Sequence, residues 1–484
     1  MGKLENLEPK RVFYYFEEIT KIPRCSFKEE KIKDFLINFA KDHGFEYYDD
    51  KYNNVIIKKE ASPGYEDKEA IILQGHTDMV CEKLDGSDFN FDTDPIKFTV
   101  EDNKIIAKET TLGADNGIAV AMILAILESD EYKHPKIEAL FTATEETGMV
   151  GAKNLDGSKL EAKTLINLDS ESEGVACVSC ACGQRENIIF DKKYIDIKEE
   201  RQFYQLIISG LKGGHSGQEI NKGLANANKL LARSLDSLFN KFDILLIDIY
   251  GGSKENAIPR SSRAIIGVLD SDIRKIQDEI VSLNRDFVKE YGNIDPDVRL
   301  NFEKSDACDK ALNKNLSNNL IKALNIIPNG VDRMSDNIEG LVGASSNIGI
   351  IESTEDQIII HNSLRAELES LKDDIARRNR IIAELCQAGY KISNNYPAWE
   401  YKNNSRIRDL SIDVYRELTR SQLKIESIHA GLECAILADV IGDIDMISFG
   451  PSMHNVHSPG ENLEIESVAN VFNFLINLIE EIKY

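Results

Sequence analysis

"ALFTATEETG" (residues 139–148) begins as an apolar, strand-like run and ends in two adjacent glutamates, a threonine and a glycine. A short apolar run closed by a turn signal suits a strand buried on both faces, the kind found in parallel sheets. Where that strand surfaces, Glu145 and Glu146 repel each other, so one of them needs a cation, a proton or open water. Neighbouring segments repeat the pattern. "EAIILQG" (69–75) and "KTLINLD" (163–169) read as two more buried strands, and "NGIAVAMILAILES" (116–129) repeats apolar residues at helical spacing. This order is βαβ logic. It predicts an α/β fold with a mixed, mostly parallel central sheet and helices on both faces.

The texture changes after "CGQRENIIF" (182–190). Strand candidates follow at 203–210, 242–250, 261–269 and 356–368, separated by helical stretches at 218–240, 270–291, 309–325 and 369–388. "SNNYPAWEYKNN" (393–404) reads as a connector. A helix, the strand "DIDMISFG" (443–450) and a last helix over 463–482 complete the chain. This closing segment is too short for a domain of its own, so it is expected to rejoin the first sheet. The resulting division is one domain over 1–184 and 396–484, with a second α/β domain inserted at 185–395.

Bulk properties exclude several roles. The chain has 484 residues, too many for one ordinary core, and a formal net charge of −24. That charge argues against a nucleic-acid or anionic membrane partner, since both require a basic footprint. No signal peptide or membrane span is visible, which gives an expectation of a cytoplasmic protein. Eight cysteines are too sparse for a disulfide framework. "CVSCAC" (Cys177, Cys180, Cys182) lacks the second pair that a closed zinc site requires, and reads as small thiols packed beside a strand.

Chemistry-bearing side chains gather where the strands stop. "LQGHTDMV" places His76 and Asp78 two apart, on one face of an extended chain. "TTLGADNGIA" places Asp115 in a Gly-bounded turn before a helix, where it serves either as an N-cap or as a carboxylate aimed into the crevice at the sheet edge. Glu145 and Glu146, then Asp169 in "INLDSES", follow two other strands. "GPSMHNVHSPGE" adds His454 and His457 after the last one. Two histidines with three or four carboxylates and no cysteine form an N/O donor set. It suits Zn²⁺, with Co²⁺ or Mn²⁺ as substitutes. The set exceeds the needs of one tetrahedral ion, whereas two ions sharing a carboxylate would use it fully. The chemistry implied is hydrolysis.

In order along the chain, "GHTDMV", "TLGADNGIA", "TATEETG", "INLDSE", "GGHSG" and "HSPGE" resemble the aminoacylase/carboxypeptidase-type dizinc metallopeptidases, and within them the aminoacyl-histidine (Xaa-His) dipeptidase branch. The resemblance runs over nearly the whole chain. It implies two Zn²⁺ per chain, with His76 and Asp169 on one ion, Glu146 and His457 on the other, and Asp115 bridging. It implies Glu145 as general base and Asp78 as the carboxylate that orients His76. The inserted domain corresponds to the family's lid, which carries substrate contacts and a homodimer surface. His215, Asn256 and Arg365 match its substrate-binding positions. His454, Glu433 and the Cys177/Cys180/Cys182 cluster receive no role.

The function this implies is metal-dependent hydrolysis of small peptides, by an Xaa-His or broad-specificity cytosolic dipeptidase. One alternative is an N-acyl amino acid deacylase of the same fold. Another is a non-catalytic peptide-binding protein, which the complete ligand set disfavours.

Overall fold

A computed structural model describes residues 2–484, which divide into two compact units. One comprises residues 2–179, Tyr401–Ser427 and Leu432–Tyr484; the other comprises Cys180–Glu400 and Ile428–Gly431.

The first unit is built on an eight-stranded sheet. Its strands in chain order are β1 (Glu46–Asp49), β2 (Val55–Lys59), β3 (Ile71–His76), β4 (Ile137–Thr142), β5 (Thr164–Asn167), β6 (Val175–Cys180), β7 (Lys424–Ile428) and β8 (Asp445–Phe449). They lie in the order β1-β2-β4-β3-β5-β8-β6-β7. The four central strands β4, β3, β5 and β8 are mutually parallel, while β2 and β6 flank them antiparallel. The expected mixed sheet is therefore present, with its parallel character confined to the centre. β3, β4 and β5 are buried along their whole length, which explains their unbroken apolar runs.

Helix α1 (Ala114–Glu128) is buried on nearly every side and packs against β3. Gly75 makes that approach feasible. A Cβ there would sit 2.6 Å from Asn116 Oδ1 and 2.9 Å from Ala119 Cβ. Helices Lys10–Ile19 and Ile465–Glu481 contribute Phe13, Phe16, Leu475 and Leu478 to the same core. Because the central strands run parallel, their carboxyl ends and the segments that follow lie along one edge.

The second unit has a nine-stranded sheet whose neighbouring strands pair antiparallel. Helices Ala227–Lys241, Ile273–Tyr291 and Lys314–Ile326 share a core with it.

Several sequence expectations need correction. The helix expected over 309–325 starts at Lys314, where the Asn313 side chain accepts from Leu316 N–H. Lys310–Leu312 instead pairs with Tyr194–Asp196. The helix expected from 218 starts at Ala227 behind an Asn226 cap. The first third of the expected connector is strand, since Gly389–Tyr396 forms a sheet edge against Cys182–Asp191. Its exposed residues are mostly polar, Lys391, Ser393, Asn394 and Asn395 among them, because an edge strand faces water. One disulfide joins Cys25 and Cys81, although composition gave no sign of any; a parallel bridge between Cys25 and Met79 brings the two segments together. Among the described residues no helix is long and apolar enough to cross a membrane.

Candidate metal centre

Five side chains from four strand ends and one helix start meet in the first unit. His76 closes β3 and is 1% exposed. Its Nε2 lies 3.0 Å from Asp115 Oδ1 and 3.4 Å from Asp169 Oδ1. The other oxygen of Asp115, Oδ2, lies 3.0 Å from His457 Nε2, and His457 Nε2 is also 3.0 Å from Glu146 Oε2. Asp115 thus turns one oxygen to each histidine. Donor atoms of His76, Asp115 and Glu146 all fall within 4.8 Å of one another.

The scaffold around them was not visible in the sequence. Asp78 does more than approach His76 Nδ1 at 3.4 Å. It accepts from the backbone N–H of Glu145 at 2.9 Å, from that of Glu146 at 3.2 Å, and from Ser26 Oγ at 2.8 Å. The turn carrying both glutamates is thereby tied to the end of β3. Thr144, just before them, holds φ +55°, a costly conformation for a β-branched residue, and its hydroxyl donates to Glu29 Oε1 at 2.6 Å. Asn116 links two strand ends, accepting from His76 N–H and donating to Leu168 O.

Asp115 does not cap its helix. Those free N–H groups are taken by Glu461, the glutamate of "HSPGE". Its two oxygens accept from the N–H groups of Leu112, Gly113, Ala114 and Asp115 at 2.8–3.4 Å. Arg24, 2% exposed, donates to Thr77 O and Asp78 O at 2.9 Å and also to Gly113 O. It joins the β3 end to the Asp115 turn and sets a buried positive charge beside four carboxylates. Gly113 is required there. Its φ is +68°, and a Cβ would come within 2.4 Å of Arg24 Nη2. Glu461→Ala leaves buried donors without an acceptor and is expected to cost roughly 2–4 kcal/mol of unfolding free energy, read by urea denaturation of metal-free protein.

Electrostatics favour a cation here. Burial, with the neighbouring carboxylates, raises Asp169 to about 7 and Glu145 well above the carboxylate range. His457 is raised to about 11 by its bonds to Asp115 and Glu146. Burial opposes a charge on His76, yet Asp169, Asp115 and Asp78 together raise it well above the histidine range. Buried Glu146 Oε1 and Asp169 Oδ1 have no hydrogen-bond partner. An acceptor left so costs about 1–3 kcal/mol. Divalent cations remove both problems, and the all-N/O donor set fits them.

This arrangement has a pH signature in the metal-free protein. The folded chain keeps protons on His76, His457 and Asp169 that the unfolded chain releases at ordinary values, so the folded state binds more protons. The stability these raised groups provide is complete below their unfolded values and is lost as pH rises through the folded ones. The urea midpoint is therefore expected to fall between about pH 6.5 and 8.5, a window above the ordinary histidine value. Saturating Zn²⁺ should flatten the trend.

Other candidate residues lie elsewhere. His454 is exposed and pairs with Glu464 at 2.7 Å, away from the cluster. Cys177, Cys180 and Cys182 are buried on consecutive strands. His215, Asn256 and Arg365 belong to the second unit. His215 Nδ1 accepts from the N–H groups of Gly217 and Gln218 at 3.2 and 3.1 Å, which places its proton on Nε2. Burial, then the Arg365 charge, lowers its pKa and keeps it neutral, a hydrogen-bond donor. Arg365 donates to Tyr396 OH at 2.9 Å, while its buried Nε has no partner. His215 and Arg365 both flank Gly217. Asn256 is exposed, and its carbonyl accepts from Ser216 N–H.

A model of peptidase family M20/M25/M40 matches residues 72–481, which includes all five clustered side chains. The chain belongs to this family. Its members are metallopeptidases, in accord with the donor cluster. The cytosol non-specific dipeptidase of Escherichia coli (strain K12) is 36% identical over all of this chain and 99% of its own length. The crystal structure of aminoacylhistidine dipeptidase from Vibrio alginolyticus superposes with a TM-score of 0.94 at 36% identity, covering 99% of this chain and 97% of that one. Aminopeptidase PepT from Bacillus cereus, at 16% identity and a TM-score of 0.57 over 99% and 100% of the two chains, shares the fold. Arg24 and Asn116, like Glu461, brace the site without any signal in the sequence. "PRC" and "ADNG" carry no signal of contacts made across 40 to 89 residues.

Proposed function

We propose that this M20-family protein is a metal-dependent dipeptidase using two Zn²⁺ per chain. The observation that carries the reading is the double engagement of Asp115, one oxygen facing His76 and the other His457. Split there, the donors form two sets, His76 with Asp169 and Glu146 with His457, and Asp115 would be shared. The full-length likeness to two dipeptidases supports dipeptides as substrates.

When bound, the two ions would polarise the scissile carbonyl and lower the pKa of a water towards 7. Glu145 is the general base. Its backbone is fixed by Asp78, and burial raises its carboxyl, so it takes the water's proton readily and can return it to the leaving amine. Asp78 orients His76. In the second unit, the Nε2–H of His215 would donate to the carbonyl oxygen as it gains charge, and Arg365 and Asn256 would hold the substrate's carboxylate or carbonyl. His215→Ala is expected to lower kcat by about 10²–10³-fold, the loss typical of one oxyanion donor.

The proposal extends to a lid role for the second unit, to a homodimer formed through it, and to the cytoplasm. Its test is a panel of dipeptides, β-Ala-His and Gly-His among them, beside N-acetyl and N-succinyl amino acids. Cleavage of dipeptides with the acylated amino acids untouched is expected. The reverse preference would make the protein a deacylase.

A further inference from the structure

A row of buried polar side chains crosses the four parallel strands just beneath the metal centre. Thr142 on β4, Gln74 on β3, Asn167 on β5 and Ser448 on β8 are each at most 2% exposed. Gln74, Asn167 and Ser448 stand in one register across their strands. At one end is Glu433, first residue of helix α2 (Glu433–Ile441) and 1% exposed. Such a row is expensive inside an apolar sheet unless its members are satisfied; within it Glu433 Oε1 is the buried atom left without a hydrogen-bond partner.

The bonds run in one sense. Glu433 Oε2 accepts from Gln74 Nε2 at 2.7 Å and from Thr142 Oγ1 at 2.9 Å. With its NH₂ turned to Glu433, Gln74 presents its oxygen to Asn167 and accepts from Nδ2 there. Asn167 then turns its own oxygen outward, accepting from Ser448 Oγ at 2.5 Å and from Asp169 N–H at 3.3 Å. Ser448 Oγ lies 2.9 Å from Ser170 Oγ, so Ser170 supplies the last proton.

An amide can present either end and a hydroxyl can both donate and accept. Two amides and a serine therefore leave the sense of the row open. Glu433 Oε2 already takes two donors and so acts as an acceptor, whether or not Oε1 carries a proton, and one end is fixed. In the reversed sense Asn167 would point its NH₂ at the Asp169 N–H, donor against donor, and the turn carrying Asp169 would lose its anchor.

We infer that Glu433 is a positioning residue: its carboxylate fixes the sense of this row and, through Gln74 and Asn167, holds the Asp169 turn in place. The link from that turn to zinc rests on the dipeptidase reading above. The row itself does not. Burial raises the Glu433 carboxyl, and its Thr142 and Gln74 bonds work in the opposite direction. Glu433→Gln is the conservative variant: its amide oxygen can take the place of Oε2, and the Asp169 N–H at the far end of the row favours that orientation, since the reversed row sets donor against donor there. Glu433→Leu removes the acceptor.

Two measurements test this. In metal-free protein, hydrogen exchange at the Asp169 amide should be about tenfold or more faster in Glu433→Leu than in wild type, since the opening free energy falls. Zn²⁺ affinity should fall about 10–100-fold, as on loss of other groups that orient ligands. Glu433→Gln should stay within about threefold of wild type in both, well inside those losses. Should Glu433→Leu fail to fold, Glu433→Leu/Gln74→Leu removes the acceptor together with the donor facing it, and the same exchange and affinity changes are expected. The inference is overturned if Glu433→Gln behaves like Glu433→Leu, or if exchange at Asp169 does not change. Faster exchange with unchanged Zn²⁺ affinity overturns the link to the ligand. A wild-type protein that cleaves no dipeptide refutes the dipeptidase reading and leaves the exchange result standing.

Discussion

Glu145→Gln is expected to retain its divalent metal and to lose about 10²–10⁴-fold in kcat, the range that a positioned general base contributes. The reasoning is geometric before it is chemical. Glu145 and Glu146 share one anchor, since Asp78 accepts both backbone N–H groups, yet only Glu146 reaches His457 at 3.0 Å. In the proposed mechanism the two serve different ends, Glu146 with the ligand donors and Glu145 free for proton transfer. Gln is isosteric and keeps the turn, but it cannot take a proton. Zinc content by mass spectrometry should match wild type while steady-state turnover of a dipeptide collapses. A variant with wild-type kcat would remove Glu145 from the mechanism. A variant that lost its metal would make it a ligand instead.

Asp115→Ala is expected to be inactive and to bind metal weakly at both positions. Asp115 is the one carboxylate facing both histidines, so its removal deprives each donor set of a member. Loss of a single first ligand such as Asp169 should weaken one binding event and spare the other. Calorimetric titration separates the two cases: Asp115→Ala affects both steps, while Asp169→Ala affects one. The Asp115 turn should itself survive, because Glu461 and Arg24 hold its backbone rather than its side chain. Equal loss from both variants would contradict a bridging role.

The strand ends were readable because β3, β4 and β5 are buried on both faces and write themselves as continuous apolar runs. A polar residue closing such a run stands out. His76, Asp169 and the glutamate pair are residues of this kind. Less was readable where contacts cross the chain. Glu461 accepts from residues about 350 positions earlier, and Arg24 spans 53 to 89 positions. No local pattern encodes such pairings. His454 and His457 are three apart and chemically equal in the sequence. What separates them is a two-residue strand that turns His454 to Glu464. Elements were missed for a similar reason. "GYKISNNY" (389–396) is an exposed edge strand without alternation, and Lys310–Leu312 is too short to outweigh the helix after it.

The proposed chemistry is hydrolysis of a dipeptide with two divalent ions that Asp115 would share. It is tested most directly by restoring Zn²⁺ in known amounts to metal-stripped protein while following both bound metal and cleavage of a dipeptide. Full activity is expected only as binding approaches two ions per chain. Activity that survives complete stripping, or that saturates at one ion with no second binding event, would contradict it.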